Sequence, residues 1–136
     1  MFNFNRSFGS SRYYYQMRIR GIRGAIQLDK DSAEEMVEAV SELLTQMLTA
    51  NQIDTEDLIS IILTATPDLT SEFPAVAARK IGLGTVPLLC SVEIDVAEAL
   101  PRVVRVLMHA HLERSLGDVK HIYLRGATVL RKDLAQ

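Results

Sequence analysis

The chain has 136 residues, of which 48% are hydrophobic and 24% charged, a balance typical of one globular domain with a single core. Its formal net charge of −2 excludes a general attraction to nucleic acid or to an anionic membrane, so an anionic ligand has to meet local positive charge. The single cysteine, Cys90, excludes an intrachain disulfide framework and a cysteine-based zinc site. It also fits a reducing compartment, which makes a cytoplasmic protein the expectation.

Residues 1–16 differ in composition from the rest of the chain. They hold six of the eight aromatic residues and no acidic residue. They lack the apolar stretch of a secretory signal, although Arg6 and Arg12 without acids give a minor resemblance to a transit peptide. We predict that 1–16 is an appended extension, either flexible or the product of a mis-called start at Met17, and that 17–136 forms the domain.

The first half of this domain predicts a strand, a long helix and a second strand. Residues 18–28 form the first strand candidate, and Ser32 with Glu35 makes a capping box that opens a helix over 31–52. A short helical turn at 55–57 precedes LISIILTAT, residues 58–66, whose β-branched run suits a buried strand. The apolar residues of the helix recur at helical spacing: Met36, Val40, Leu43, Leu44, Met47 and Leu48.

The second half predicts shorter elements. Pro74, at the first helical position, opens a helix that Gly82 closes, and a strand follows over about 85–92. VAEAL, residues 96–100, predicts a brief helix before Pro101, and strands are predicted over 103–111 and 120–130. The order β, α, β, α, β, α, β, β indicates an α/β fold, with one sheet layered by helices.

Two arginines on predicted strands require an explanation. Alternation places Arg23 on the same face as Ile19, and Arg105 has apolar neighbours on both sides. A desolvated guanidinium without an anionic partner costs several kcal/mol, so each arginine is expected to meet a carboxylate or a phosphate. For Arg23 that partner is either a structural acid, such as Glu93, or a ligand.

Three further side chains could serve a site at the end of the strand over 85–92. Glu93 and Cys90 lie where α/β sheets tend to bind ligands, but a regular strand would direct them to opposite faces unless it bulges or ends there. Cys90 alone is as readily a small buried hydrophobe. Tyr123 could donate a hydrogen bond to an anion or to the backbone.

Several common chemistries lack support. GIRG and GLG have neither the spacing nor the lysine of a nucleotide-binding loop. His109 and His111 would share a strand face, but no third metal ligand is evident and His121 is remote in sequence. The sequence shows no evident serine or cysteine nucleophile paired with a histidine, so covalent catalysis lacks support. The remaining arginines, glutamate, thiol and phenol suit the binding and polarisation of a small dianion without proton transfer.

Five segments, taken together, resemble the trimeric α/β chorismate mutases, the class distinct from the all-helical chorismate mutases. The resemblance covers 17–134 and implies a single domain with a mixed sheet and packed helices, assembling as a trimeric pseudo-α/β-barrel. It also implies the isomerisation of chorismate to prephenate, in phenylalanine and tyrosine biosynthesis, without a cofactor. The segments are RGIRGA at 20–25, TATPDLTSEFPAVAARKIG at 64–82, VPLLCSVEIDV at 86–96, LPRVVRVLMH at 100–109 and HIYLRGATVLRKDL at 121–134.

The resemblance also implies roles for individual residues. The catalytic set would be Arg105, which donates to the ether oxygen, Arg23, which clamps a carboxylate, and Glu93, which accepts from the ring hydroxyl. Sites would lie in clefts between neighbouring chains, with Phe73 and Arg79 facing the other residues across the interface. The substrate-binding residues implied are Tyr123, Cys90, Phe73, Arg79, Leu130 and Arg131.

Two other readings remain open from the sequence. The same arginine-lined cleft would suit a non-catalytic trimeric module that binds a carboxylate metabolite. Such a module would bind a transition-state mimic no better than a substrate-like diacid, whereas an enzyme prefers the mimic by about 10²-fold or more. A small lyase or deaminase on a similar scaffold would turn over imines or enamines and not chorismate.

Overall fold

A mixed five-stranded sheet with helices on one of its faces makes up the part of the chain that the computed structural model describes, residues 17–133. The extension predicted over 1–16 lies outside these residues. Short 3₁₀ helices span Thr55–Asp57, Leu116–Asp118 and Arg125–Val129. The strands and α-helices, in chain order, are β1 (Arg18–Gln27), α1 (Ala33–Asn51), β2 (Leu58–Ala65), α2 (Ala75–Lys80), β3 (Leu88–Val92), β4 (Val103–Leu112) and β5 (Ile122–Leu124).

The strand order across the sheet is β3-β2-β4-β1-β5. The central strand β4 is antiparallel to both of its neighbours, whereas the outer pairs β2·β3 and β1·β5 are parallel. The predicted α/β domain with a mixed sheet and packed helices is therefore confirmed. Neither α1 nor α2 is long and apolar enough to cross a membrane, and the same holds for the rest of the described residues.

The α-helices bury only one face of the sheet. In β4 the side chains of Val104, Val106 and Met108 are buried, while those of Arg105 and Leu107 between them are exposed. Because successive residues of a strand point to opposite faces, this alternation separates a core face beneath the helices from an open face. Within residues 17–133 the open face is covered only at one end, where the last 3₁₀ helix and Leu130 pack against Ala25 and Val103.

Helix α1 supplies most of the core layer. Ser32 caps it by accepting a hydrogen bond from the Glu35 N–H at 3.1 Å. The predicted reciprocal half of the capping box is wrong, because the Glu35 carboxylate instead accepts from the N–H groups of Asp29 and Lys30. One turn of α1 packs so closely on β1 that Met47 occupies the space a side chain at Gly24 would need.

The predicted third helix, residues 96–100, is absent. The segment turns instead, with Glu98 at a φ of 71° and only local backbone hydrogen bonds, such as that from Ala99 N–H to Val96 O. Ile94 and Val96 are 85% and 60% exposed. A five-residue helix gains its stability from burying a face, and this segment packs only Leu100 against the rest of the chain.

Two strands are shorter than predicted. The final strand, predicted over 120–130, is only β5, because Arg125 adopts a φ of 54° and turns the chain into a 3₁₀ helix. The strand predicted from about Thr85 begins at Leu88, since Pro87 has no N–H and joins the ladder only through its carbonyl, which accepts from Ile61. Pro74 is the N-cap of α2 and not its first helical residue.

A single buried amide joins the end of α1 to the approach to β5. Asn51 is 1% exposed, and its Nδ2 donates to the carbonyls of Met47 and Lys120 at 2.9 and 2.8 Å. Its Oδ1 accepts from the Lys120 N–H at 2.8 Å. The side chain therefore satisfies both backbone groups of Lys120, as a neighbouring strand would.

Replacing this amide tests its contribution to stability. We expect Asn51→Ala to lower the free energy of unfolding by about 2 kcal/mol, because it leaves two partly buried backbone groups of Lys120 without their partner. Gln46→Ala, on the exposed side of the same helix, is the control and should change it by less than about 0.5 kcal/mol. Urea unfolding at fixed protein concentration makes the comparison, and equal effects of the two substitutions would contradict it.

Candidate active site

Arg105 lies at the centre of the open face. It pairs with Ala25 of β1 and Thr64 of β2, so these three residues share one side of the sheet. Its side chain is 50% exposed in the single chain. The expectation that Arg105 and Arg23 are desolvated is therefore wrong for one chain: the apolar neighbours of Arg105 in sequence point to the core, and Arg23 is exposed as well.

Glu93 is held beside Arg105. It follows the last residue of β3, and its N–H donates to the Ala65 carbonyl at 2.9 Å, which keeps it aligned with the sheet. Its Oε2 lies 3.5 Å from the Arg105 Nε and accepts a hydrogen bond from the Thr64 hydroxyl. Of the two partners considered for Arg23, the structural acid Glu93 is excluded within one chain, because Glu93 pairs with Arg105.

Cys90 lies on the other face from Glu93. It pairs with the buried Leu63 and packs against the core beneath the helices. β3 continues from Cys90 to Val92, so no bulge or strand end at Cys90 turns its thiol to the face of the Glu93 carboxylate. The thiol of Cys90 belongs to the core, and only its backbone is available at the sheet.

Tyr123 lies on the same face as Arg105, on the far side of β1. It pairs with Ala25, which in turn pairs with Arg105, so its Cα is about two strand spacings, or about 10 Å, from that of Arg105. Tyr123 is buried in a small second cluster with Val103 and Ala127. Leu130 packs against this cluster and borders the same region.

Arg23 also projects on the open face, two residues before Ala25 on β1. Its backbone N–H donates to Nδ1 of His121 at 2.9 Å. Burial lowers the pKa of His121, and the positive charges of Arg23 and Arg131 lower it further. Arg23, Arg131 and His121 are therefore close enough to interact electrostatically.

Arg131 completes this positive region. Its Nε and Nη2 donate to the two carboxylate oxygens of Asp133 at 3.1 and 3.0 Å. The hydrogen bond from Arg131 holds the pKa of the Asp133 carboxyl below its ordinary value, and Arg23 also contributes. The face thus carries three guanidinium groups against the two carboxylates of Glu93 and Asp133.

Phe73 and Arg79 lie in the helical layer. Phe73 is 67% exposed in the loop before α2, and Arg79 is exposed near the end of that helix. No hydrogen bond or ion pair between residues 17 and 133 joins either of them to Arg105 or Glu93. A single chain therefore does not assemble the full set of predicted site residues.

The loop that leads to Phe73 is fixed by Asp31. The Asp31 carboxylate accepts hydrogen bonds from the N–H groups of Thr70 and Ser71, both at 3.1 Å, and from the Thr70 hydroxyl at 3.0 Å. The Ser71 hydroxyl donates back to the Asp31 carbonyl. This Asp31 clip holds the loop against the start of α1, although the two segments are far apart in sequence.

Large apolar side chains are exposed on the open face. Leu89, Ile62 and Leu107 pair successively across β3, β2 and β4, and Leu89 and Leu107 are 62% and 39% exposed. Ile19, at the start of β1, is 62% exposed on the same side. Monomeric proteins rarely leave such an apolar surface bare, so this apolar band favours contact with another chain.

His109 and His111 share the open face, as predicted from their spacing. His109 Nδ1 lies 3.2 Å from the Ser60 hydroxyl, and His111 pairs with Ile19. Among the described residues no group of three or more histidines, cysteines or acids could hold a metal ion.

The chain matches known proteins over almost the whole described region. Residues 19–134 match the family model described as chorismate mutase type I. The chain is 50% identical over 117 residues to the chorismate mutase AroH of Thermus thermophilus, which covers 85% of this chain and 96% of that protein. The chain belongs to the type I chorismate mutase family.

Two further members of the family agree with this assignment. The chorismate mutase AroH of Bacillus subtilis is 38% identical over 120 residues, covering 88% of this chain and 94% of that protein. A solved chorismate mutase from Clostridium thermocellum superposes with a TM-score of 0.80 at 42% identity, covering 81% of this chain and 98% of the other. The resemblance found in the sequence is therefore confirmed at the level of the family and the fold.

Two residues of this face were not singled out from the sequence. Thr64 appeared only as part of a buried strand, and its contact with Glu93 depends on the register between β2 and β3. Alternation in the sequence placed His121 on the same strand face as Tyr123, but His121 was considered for chemistry only as a remote metal ligand, and its contact with Arg23 was not predicted.

Replacing Asp31 tests whether the Asp31 clip fixes the loop that leads to Phe73. Partial desolvation would raise the pKa of Asp31, but hydrogen bonds from Ser71 and Thr70 outweigh it and hold the pKa below its ordinary value of 3.8. The clip is therefore fully formed above pH 3.8 and is lost as the pH falls through the lowered value. We expect Asp31→Ala to speed amide hydrogen exchange at Thr70 and Ser71 by about tenfold at neutral pH.

The control for this measurement is Asp29→Ala. Asp29 lies in the same turn, and no hydrogen bond of its side chain is found between residues 17 and 133. It should leave exchange at Thr70 and Ser71 unchanged. Equal exchange in wild type and Asp31→Ala would show that other contacts fix the loop.

Proposed function

We propose that this chain is a chorismate mutase that isomerises chorismate to prephenate. The observation that carries the proposal is the placement of Arg105, braced by Glu93, on the open sheet face of a type I chorismate mutase family member. The reaction is a unimolecular rearrangement that needs no acid, base or cofactor. Its barrier falls when the substrate is held in a compact conformer and when charge on the breaking ether oxygen meets fixed donors.

Arg105 is proposed to supply that fixed donor. Glu93 restrains its Nε, and Thr64 in turn restrains Glu93, so the guanidinium is oriented before substrate arrives. A donor that is already oriented stabilises developing charge without the cost of reorganisation. The exposed half of the Arg105 side chain would point its remaining N–H groups at the ether oxygen and a neighbouring carboxylate.

The other residues are proposed to hold the substrate around this donor. Arg23 matches a carboxylate with its planar fork, and Tyr123 donates to a carboxylate from its position across β1. Glu93 accepts from the ring hydroxyl, while Leu130 forms part of the apolar wall. For Cys90 only the backbone remains in the proposal, because its thiol packs in the core. Arg131 steers the dianion at the mouth of the site.

A cytoplasmic homotrimer, acting in aromatic amino acid biosynthesis, is the proposed working form. The exposed apolar band supports burial of the open face between copies of the chain. The separation of Phe73 and Arg79 from Arg105 within one chain supports a site that a neighbouring copy completes. In this arrangement Phe73 would pack on the substrate and Arg79 would attract it from the facing chain.

Replacing Arg105 tests the proposed role of its positive charge. We expect purified wild-type protein to consume chorismate and form prephenate, and Arg105→Ala to lower kcat by about 10³-fold or more. Arg105→Lys keeps the charge but loses the fork, so it should lose less activity. Loss of chorismate absorbance, with prephenate identified by acid conversion to phenylpyruvate, provides the rates.

Arg18→Ala is the matched control, because Arg18 is an exposed arginine at the far end of the same strand as Arg23. It should keep wild-type kcat. Folded wild-type protein without turnover above the uncatalysed rate would rule out the enzyme. Equal affinity for a transition-state mimic and a substrate-like diacid would then favour a carboxylate-binding module.

Replacing a leucine of the apolar band tests the proposed trimer. Sedimentation equilibrium should give three times the 15.2 kDa mass of one chain. Leu107→Asp places a charge at the centre of the proposed interface and should dissociate the trimer. Leu116→Asp, at an exposed leucine off the sheet, should not. A monomeric wild type with full activity would contradict a site shared between chains.

A further inference from the structure

His121 has no role in the chemistry described above, yet it contacts the backbone of a proposed substrate-binding residue. Its Nδ1 accepts the Arg23 N–H at 2.9 Å. β5 begins one residue later, where Ile122 pairs with Gly24 of β1. The imidazole therefore supplies the acceptor that a longer β5 would have offered to Arg23, and it lies at the point where β5 joins the sheet.

The placement of two proposed substrate ligands depends on this point. Arg23 is on β1, and Tyr123 is on β5, an edge strand of only three residues that pairs with β1 at three positions. So short a pairing is weakly held by its own ladder. The hydrogen bond from Arg23 to His121 adds one contact to the pairing of β1 and β5, directly before its first paired residues.

We propose that His121 is a positioning residue of the chorismate site, whose neutral imidazole fixes the backbone of Arg23 and the start of the strand that carries Tyr123. This inference rests on the proposed function for its kinetic consequences. The hydrogen bond itself requires the tautomer with its proton on Nε2, because Nδ1 has to accept.

The surroundings of His121 favour this neutral form. Burial lowers its pKa below the ordinary 6.5, with further contributions from Arg23 on β1 and Arg131 after the last 3₁₀ helix. Arg131 in turn pairs with Asp133 and interacts with Tyr123, the titratable residue on β5. A protonated imidazole would carry hydrogens on both nitrogens, lose the bond to Arg23 and add a third positive charge.

The hydrogen bond from Arg23 to His121 depends on pH. Because the folded protein holds the pKa of His121 below its unfolded value, the bond is present above pH 6.5 and is lost as the pH falls through the lowered pKa. In wild-type protein this loss should give an acid limb in kcat/KM with a pKa below 6.5.

Two substitutions separate the acceptor from the bulk of the ring. The Oδ1 of His121→Asn lies as many bonds from the backbone as Nδ1 and can accept the same N–H, whereas His121→Leu fills similar space without an acceptor. We expect His121→Leu to raise KM by about tenfold and to change kcat by less than about threefold, since Arg23 and Tyr123 bind the ground and transition states alike. His121→Asn should keep KM within about threefold of wild type and lose the acid limb.

Amide hydrogen exchange at Arg23 gives a reading that does not depend on turnover. It should be faster in His121→Leu than in wild type and close to wild type in His121→Asn. If wild-type protein does not turn over chorismate, the proposed function fails while this exchange result still reports the bond. Unchanged exchange and KM in His121→Leu, or equal losses in the Leu and Asn variants, would overturn the positioning role.

Discussion

Coverage of only one face of the sheet by α-helices is the constraint from which the rest of this structure follows. Helices α1 and α2 cover the side formed by residues such as Val104 and Met108, and strict alternation along β4 then leaves Arg105 and Leu107 on the other side. The polar residues of the proposed site and the apolar band therefore lie on the same open face. The site and the proposed assembly are thus two consequences of one pattern of burial.

The open face suits a reaction in which the protein transfers no proton. Arg105 is oriented by Glu93, and Glu93 by Thr64, so a positive charge is held in place by a short chain of contacts anchored in the ladder between β2 and β3. At 50% exposure this charge is still screened by water in a single chain. Enclosure by a neighbouring chain would remove that screening and strengthen its effect on a developing negative charge.

The sequence predicted the parts of the fold that have strong periodicity. β1, α1, β2 and β4 agree with their predicted spans to within one or two residues, because each has a long pattern with one buried side. The helix expected at 96–100 is absent because that segment has helical propensity but packs only Leu100 against the rest of the chain. β5 was overextended because the turn at Arg125 uses a positive φ in a residue other than glycine, which no local signal predicts.

For the site, the sequence identified individual residues but not the contacts between them. The motifs carried the family resemblance and pointed to Arg105 and Glu93, but their contact with each other depends on strand register. Cys90 was assigned with its thiol available, and only its pairing with Leu63 shows that the side chain enters the core. The role inferred for His121 requires a strand that starts two residues later than the pattern predicts, which the sequence could not indicate.

The central claim is that the open face becomes an active site only when a second chain completes it. Hybrid trimers test this most directly: Arg105→Ala chains are mixed with chains that carry both Phe73→Ala and Arg79→Ala, and subunits are allowed to exchange. With random assembly about a quarter of the interfaces combine intact residues from both parents, so about a quarter of wild-type activity should return at low chorismate concentration. Activity no greater than the sum of the two parents, in trimers shown to have exchanged, would contradict a shared site.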